Sequence, residues 1–151
     1  MDLFVPASMR GVTAFRADLA GMLVVSIAAA YESCVKDTMI THAARFNVEF
    51  ENFTAKNYEK LNSRISVKDL KNYTKMFDPT IHEKFRLTLV RRKALMLRIT
   101  GKSIESEFEN ILSWRHAFAH AGTRVTTIEE AANTHRIARI VIFSFFDAFH
   151  N

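Results

Sequence analysis

Ser113-Trp114-Arg115-His116-Ala117-Phe118-Ala119-His120-Ala121-Gly122 closes a run in which apolar residues recur three or four apart, at Ile104, Phe108, Ile111, Leu112 and Trp114. That period predicts a helix that starts after Ser103, continues to Ala121 and stops at Gly122, which is free to take the left-handed turn a helix end needs. Two imidazoles and a guanidinium crowd its last turns.

The same logic works outward from this segment. Downstream, Thr127 with Glu130 forms a capping box for a last helix over Ile128 to Phe149. The β-branched residues Ile137, Ile140, Val141 and Ile142 suit a strand, but Ala131, Ala132, Ala138 and the three-and-four spacing through Phe145, Phe146 and Phe149 favour a helix. Upstream, Asp78 followed by Pro79 is the cap-then-proline start of a helix through Phe85, Leu89 and Leu95 to about Ile99, stopped by Thr100 and Gly101. Ser66 with Asp69 caps a helix over Val67 to Phe77.

A short helix is expected over Ala55 to Arg64, preceded by a polar connection from Asn47 to Thr54. The N-terminal segment from Ser8 to about Arg45 carries Leu23, Ile27, Ala30, Tyr31, Cys34, Val35, Thr38 and Met39 along one stripe, and Gly21 leaves open a division into two helices. The fold class is therefore all-α, a bundle of about five to seven helices. With no repeat, linker or low-complexity stretch, residues 1–151 read as one domain.

Composition agrees. The 151 residues are 48% hydrophobic and 25% charged, with 4 Gly and 2 Pro, which excludes collagen-like and linker-like chains. One cysteine, Cys34, makes neither an internal disulfide nor a cysteine cage for zinc, and points to a reducing, cytoplasmic setting. The strongly apolar stretch Met22 to Ala30 is about half of a membrane span and is flanked by charges, so no membrane association is expected. Lysine and arginine number 21 against 16 acidic residues, a net charge of +5 that favours polyanionic partners.

Arg115, a polar residue, three further residues and His120 resemble the R-polar-x-x-x-H motif of the HEPN superfamily, helical domains that process nucleic acid or bind ligands. The His-Ala-Gly ending is similar to the family's close. Ala28-Ala29-Ala30-Tyr31-Glu32-Ser33-Cys34-Val35-Lys36-Asp37 resembles the early small-residue helix of the RiboL-PSP type, and Arg64-Ile65-Ser66-Val67-Lys68-Asp69-Leu70 through Phe77 its middle segment, so the likeness spans roughly residues 22 to 149.

The resemblance implies an endoribonuclease that uses no metal or other cofactor, working as a homodimer with its motif helices paired across a two-fold cleft. It implies Arg115 and His120 as catalytic residues, His116 beside them, and Glu32 as the supporting carboxylate that fixes the guanidinium. Chemistry supports the pairing: attack by an RNA 2′-hydroxyl on the adjacent phosphate needs a base, an acid and positive charge at the phosphorane, and two copies supply His120 and Arg115 twice. Small domains of this type are often toxins or effectors of prokaryotic toxin–antitoxin or antiviral defence systems, which implies tRNA or mRNA as substrate and a restraining antitoxin or regulatory partner encoded nearby.

Plainer readings exist for each feature. Arg115 and His120 also suit a helix C-terminus for its dipole alone, in a non-catalytic HEPN-fold module that dimerises or binds a ligand or RNA. His116 and His120 have the i, i+4 spacing of a metal pair, but a third ligand would have to come from His42, His82, His135 or His150, and no metal site is expected. Lys56, Lys60 and Arg64, four apart, and Lys68, Lys71 and Lys75 make two basic helix faces, and Arg91, Arg92, Lys93, Arg98 and Lys102 a further cluster; singly most read as solvated faces, but as a set, with Lys56, Lys60, Arg64, Arg91 and Arg92 foremost, they form a candidate path for an RNA backbone. Trp114, Phe143, Phe145, Phe146 and Phe149 read as core or dimer contacts, leaving Phe118 as the candidate for base stacking.

Overall fold

A computed structural model describes residues 7–62 and 64–150, with backbone alone for residues 7–10. Its elements are six helices: α1 (Ala7–Ala44), α2 (Val48–Tyr58), α3 (Val67–Phe77), α4 (Pro79–Thr100), α5 (Ile104–Ala121) and α6 (Ile128–His150). Local chemistry sets most of the boundaries. The Ser66 hydroxyl accepts from the Asp69 amide (3.2 Å) and the Asp69 carboxylate accepts from the Ser66 amide (3.0 Å), completing the capping box of α3. Asp78 caps α4 ahead of Pro79, and Gly101 and Gly122, at φ 71° and 60°, end α4 and α5 in the left-handed region that a side chain disfavours. At the start of α6, Thr127 accepts from the Glu130 amide (3.1 Å), while the Glu130 carboxylate turns to the Thr126 hydroxyl (3.0 Å).

Two expectations fail between residues 45 and 64. The region expected as a polar connection from Asn47 to Thr54 is helical, because the Asn47 side chain accepts from the Phe50 amide (2.7 Å) and starts α2 there. The helix expected over Ala55 to Arg64 ends at Tyr58, and Asn62 sits at φ 51°. Lys60 and Arg64 therefore leave the helix, and with Lys56 they do not share one helical face.

α1 runs unbroken through Gly21. By length and composition alone, Gly11–Ala44 would reach across a membrane, so Met22 to Ala30 is the middle of a longer apolar helix rather than an isolated stretch. Here Ala20, Val24, Ile27, Tyr31, Val35 and Met39 of α1 are buried against the other helices, and α5 and α6 supply Phe108, Ile111, Val141 and Phe145 to the same core. Phe85, Phe108 and Phe145 are fully buried, each contributing roughly 1.5–3 kcal/mol of burial free energy. Gly21 is required for packing: a Cβ there would lie 2.2 Å from the ring of Phe118, so α5 comes this close to α1 only because the side chain is absent.

Candidate functional site

Along α5 the side chains divide by depth. Ile104, Phe108 and Ile111 are buried, Arg115 is half-buried, and His116 and His120 are exposed, so the N-terminal half anchors the helix and the C-terminal half presents its polar groups. The ending is held from several directions. Gly122 donates its amide to the Phe118 carbonyl (3.0 Å) and Thr123 to that of Ala117 (3.2 Å). Arg124 grips Asp18 through two bonds (2.9 and 3.2 Å) and Arg16 reaches Glu129 (2.7 Å), tying both ends of the α5–α6 connection to α1.

Arg115, His116 and Leu112 of α5 face Ala28 and Glu32 of α1 across a small cleft of about 120 Å³, with Ile65 as its third wall. Helical spacing explains the set: Ala28 and Glu32 are four apart on α1, and Leu112, Arg115 and His116 are three and four apart on α5. Ile65 belongs to the α2–α3 connection, which is pinned where it meets the site. The Tyr73 hydroxyl donates to the Arg64 carbonyl (2.6 Å), and the Val67 amide donates to the Glu109 carboxylate on α5 (3.0 Å). One turn beyond the cleft, the His120 ring lies over that of His116, centroids 4.4 Å apart at 48°.

The structure thus brings Glu32, Arg115 and His116 to one cleft with His120 on its C-terminal side. Lys56, Lys60 and Arg64 are exposed, and Arg64 precedes the cleft residue Ile65. Arg92 is not available for RNA. It is half-buried, donates to Ser144 (3.2 Å) and Asp147 (2.5 Å) on α6, and serves to join α4 to α6. Arg91 is exposed on α4, which supplies none of the cleft-lining residues. Phe118 is not a free stacking platform either, since its ring lies over Gly21. Phe145 and Phe149 are core residues as expected, whereas Phe143 and Phe146 are exposed.

The remaining histidines are occupied elsewhere. The buried Tyr31 hydroxyl and Nδ1 of His135 share a hydrogen bond (2.7 Å), and burial, then Arg139, hold the pKa of that imidazole below the ordinary value of 6.5. Burial does the same to His42, whose ring sits among Phe46, Phe77 and Phe149. His82 meets Thr74 and the Lys71 carbonyl, and His150 the Phe146 carbonyl. Among the described residues no three His, Cys, Asp or Glu side chains gather as a metal site. Gly21, Asp18 and Arg124 are the positioning residues that sequence reasoning missed, since each acts through a partner about a hundred positions away.

A helical bundle with an arginine and a histidine five residues apart at the exposed end of its penultimate helix is the arrangement the motif implied. The chain belongs to the RiboL-PSP-HEPN family, whose family model matches residues 8–151. No curated protein and no solved structure matches it.

Proposed function

We propose that the protein is a metal-independent endoribonuclease whose active site forms where two copies bring their α5 helices together. The observation that carries this reading is the convergence of Arg115, His116 and Glu32 on one cleft, with the His120 ring beside it, 4.4 Å from that of His116 and tilted to it. His120 of one copy takes the proton of an RNA 2′-hydroxyl, whose oxygen attacks the adjacent phosphorus. His120 of the other copy gives a proton to the departing 5′-oxygen. Arg115 meets the phosphorane oxygens with its planar fork, and Glu32, in the same cleft, orients that guanidinium. The products are a 2′,3′-cyclic phosphate and a 5′-hydroxyl.

Pairing is supported by the exposed side of α1. Val12, Phe15, Leu19 and Met22 recur there at three- and four-residue steps, all exposed, and the same line continues with the small residues Ser26, Ala29 and Ser33. An apolar strip followed by small side chains suits close approach of a second helix across a two-fold axis. Exposed Lys56, Lys60 and Arg64, the last of which adjoins the cleft residue Ile65, are the groups we assign to the RNA backbone. A toxin or defence role, under control of a neighbouring antitoxin in the cytoplasm, follows as the biological setting of such an activity.

The test is cleavage of total cellular RNA by the wild-type protein and His120→Ala in the presence of EDTA, with analysis of the fragment ends. Cyclic phosphates from the wild type alone are the expected outcome. Cleavage that needs a divalent metal, or that survives in His120→Ala, would overturn the mechanism.

A further inference from the structure

A second hollow lies apart from the α1–α5 cleft. It is a groove of about 730 Å³ floored by Ile140, Phe143 and Phe146 of α6, with Leu95 and Met96 of α4 on one side and Cys34 of α1 on the other. None of these residues lines the cleft that holds Arg115. Phe143, Phe146 and Leu95 are 49%, 41% and 44% exposed, an unusual amount of apolar surface to leave together in water. The charged groups inside the groove, Arg92 and Asp147, are bonded to each other, so neither is open to a small ionic ligand.

Three features define what would cover this face. First, the apolar surface runs past the hollow: Ile99, one turn after Leu95 on α4 and on the same side of that helix, is exposed as well. Second, its rim is basic. The Arg139 guanidinium carbon sits 5.7 Å from the centroid of the Phe143 ring, and exposed Arg91 and Arg98 flank Leu95 at four residues before and three after. Of the acidic residues here, Asp147 is bonded to Arg92 and Asp37 lies one turn from Cys34. Third, floor and walls are apolar, so a nucleic-acid backbone would find cations only along the edge. Two copies meeting through this face would oppose like charges, which disfavours self-association.

The geometry points to a docking groove for an amphipathic helix of a partner protein, its apolar side laid on Phe143, Phe146 and Leu95 and its acidic flanks against Arg91, Arg98 and Arg139. This is the helix-in-groove mode, in which anchors at i, i+3, i+4 and i+7 give affinity and the flanking charges give orientation. Because the two sites share no residue, a helix bound here leaves Arg115 and His120 unobstructed, and its binding is measurable without reference to cleavage.

The probe is a fluorescein-labelled peptide of about 18 residues, roughly five helical turns, with leucine on one face and glutamate on its flanks, read by anisotropy against a twin carrying lysine for glutamate. Saturable binding of the acidic peptide, absent for the basic one, is expected. Leu95→Glu, a substitution at an exposed position, should weaken it by roughly thirtyfold or more, and Arg98→Glu or Arg139→Glu by roughly three- to tenfold each. Bound peptide should also shield Cys34 from a maleimide. Equal binding by both peptides, no saturable binding, or binding indifferent to Leu95→Glu overturns the proposal. So do three positive results for other occupants: a dimer that Leu95→Glu dissociates, decanoate binding in place of peptide, or RNA binding that the same substitution abolishes.

Discussion

The two hollows beside α1 are built for different tasks. The cleft between α1 and α5 is small, about 120 Å³, and brings a carboxylate, a guanidinium and an imidazole together. The groove over α6 is about 730 Å³ and its charged pair is internally neutralised, so it offers area rather than reactive groups. Proton transfer and phosphate stabilisation need a few polar groups held at fixed distances, whereas recognition of a helix needs exposed apolar length. The difference shows in support as well. The chemistry-bearing end of α5 is tied down by Gly122, by the Arg124–Asp18 and Arg16–Glu129 pairs and by Phe118 over Gly21, while the residues of the groove stand open on two helices joined by Arg92.

The largest expected effect separates the two regions. His120→Ala and Arg115→Ala should each lower the rate of RNA cleavage by about 10²–10⁴-fold, the contribution of a positioned acid, base or charge. The exposed His120 change should leave thermal unfolding nearly unmoved. Leu95→Glu should do the reverse, keeping cleavage at the wild-type rate and abolishing binding of the acidic peptide. A variant in either region that removes both properties would break the division.

A smaller effect tests how α5 is held. Gly21→Ala gains about 1 kcal/mol of helix propensity, but its Cβ falls 2.2 Å from the Phe118 ring, and relieving such overpacking costs typically about 1–3 kcal/mol. The clash wins, so a lower midpoint in urea is expected. Cleavage should fall further than stability does, because displacing Phe118 moves the turn that carries His120. Peptide binding in the groove should not change.

The smallest effect concerns pH. His42 and His135 both titrate below the ordinary imidazole value of 6.5, chiefly because burial disfavours their charged forms. Below pH 6.5 the unfolded chain takes up protons that the folded protein still refuses, so stability is complete above that pH and declines as pH falls through it. Melting temperatures from pH 7.5 to 5 should show this slope, and His42→Leu should flatten it. The aromatic cluster around His42 includes Phe149, near the end of α6 beyond the groove-lining Phe146, so peptide binding should weaken over the same range only if that end loosens.

What was legible in the sequence follows from how far each signal reaches. Ser66 with Asp69, Asp78 before Pro79, and Gly101 and Gly122 act within a few residues, so the limits of α3, α4 and α5 could be read directly. Asn47 ahead of Glu49 and Glu51 is a cap of the same kind, and reading it would have placed α2 correctly. The end of α2 at Tyr58 carries no glycine or proline, and the supposed basic face of Lys56, Lys60 and Arg64 was lost with it. Arg92 looked like a free cation because Asp147, its partner, lies 55 positions away. Apolar period alone named Phe143, Phe145, Phe146 and Phe149 but could not tell the buried pair from the exposed pair, since that depends on which neighbours α6 acquires. Arg115, His116, His120 and Glu32 were visible as residue types at motif spacing, while the Ile65 wall and the α1 anchors of α5 exist only in three dimensions.

The central claim is that two copies build one active site, and subunit mixing tests it most directly. Wild-type and His120→Ala chains, unfolded and refolded together in equal amounts, should retain about a quarter of the wild-type cleavage rate if a working site needs His120 from both copies of a randomly formed pair. Retention of about half, falling in proportion to the wild-type fraction, would mean that each chain acts alone and would contradict the account.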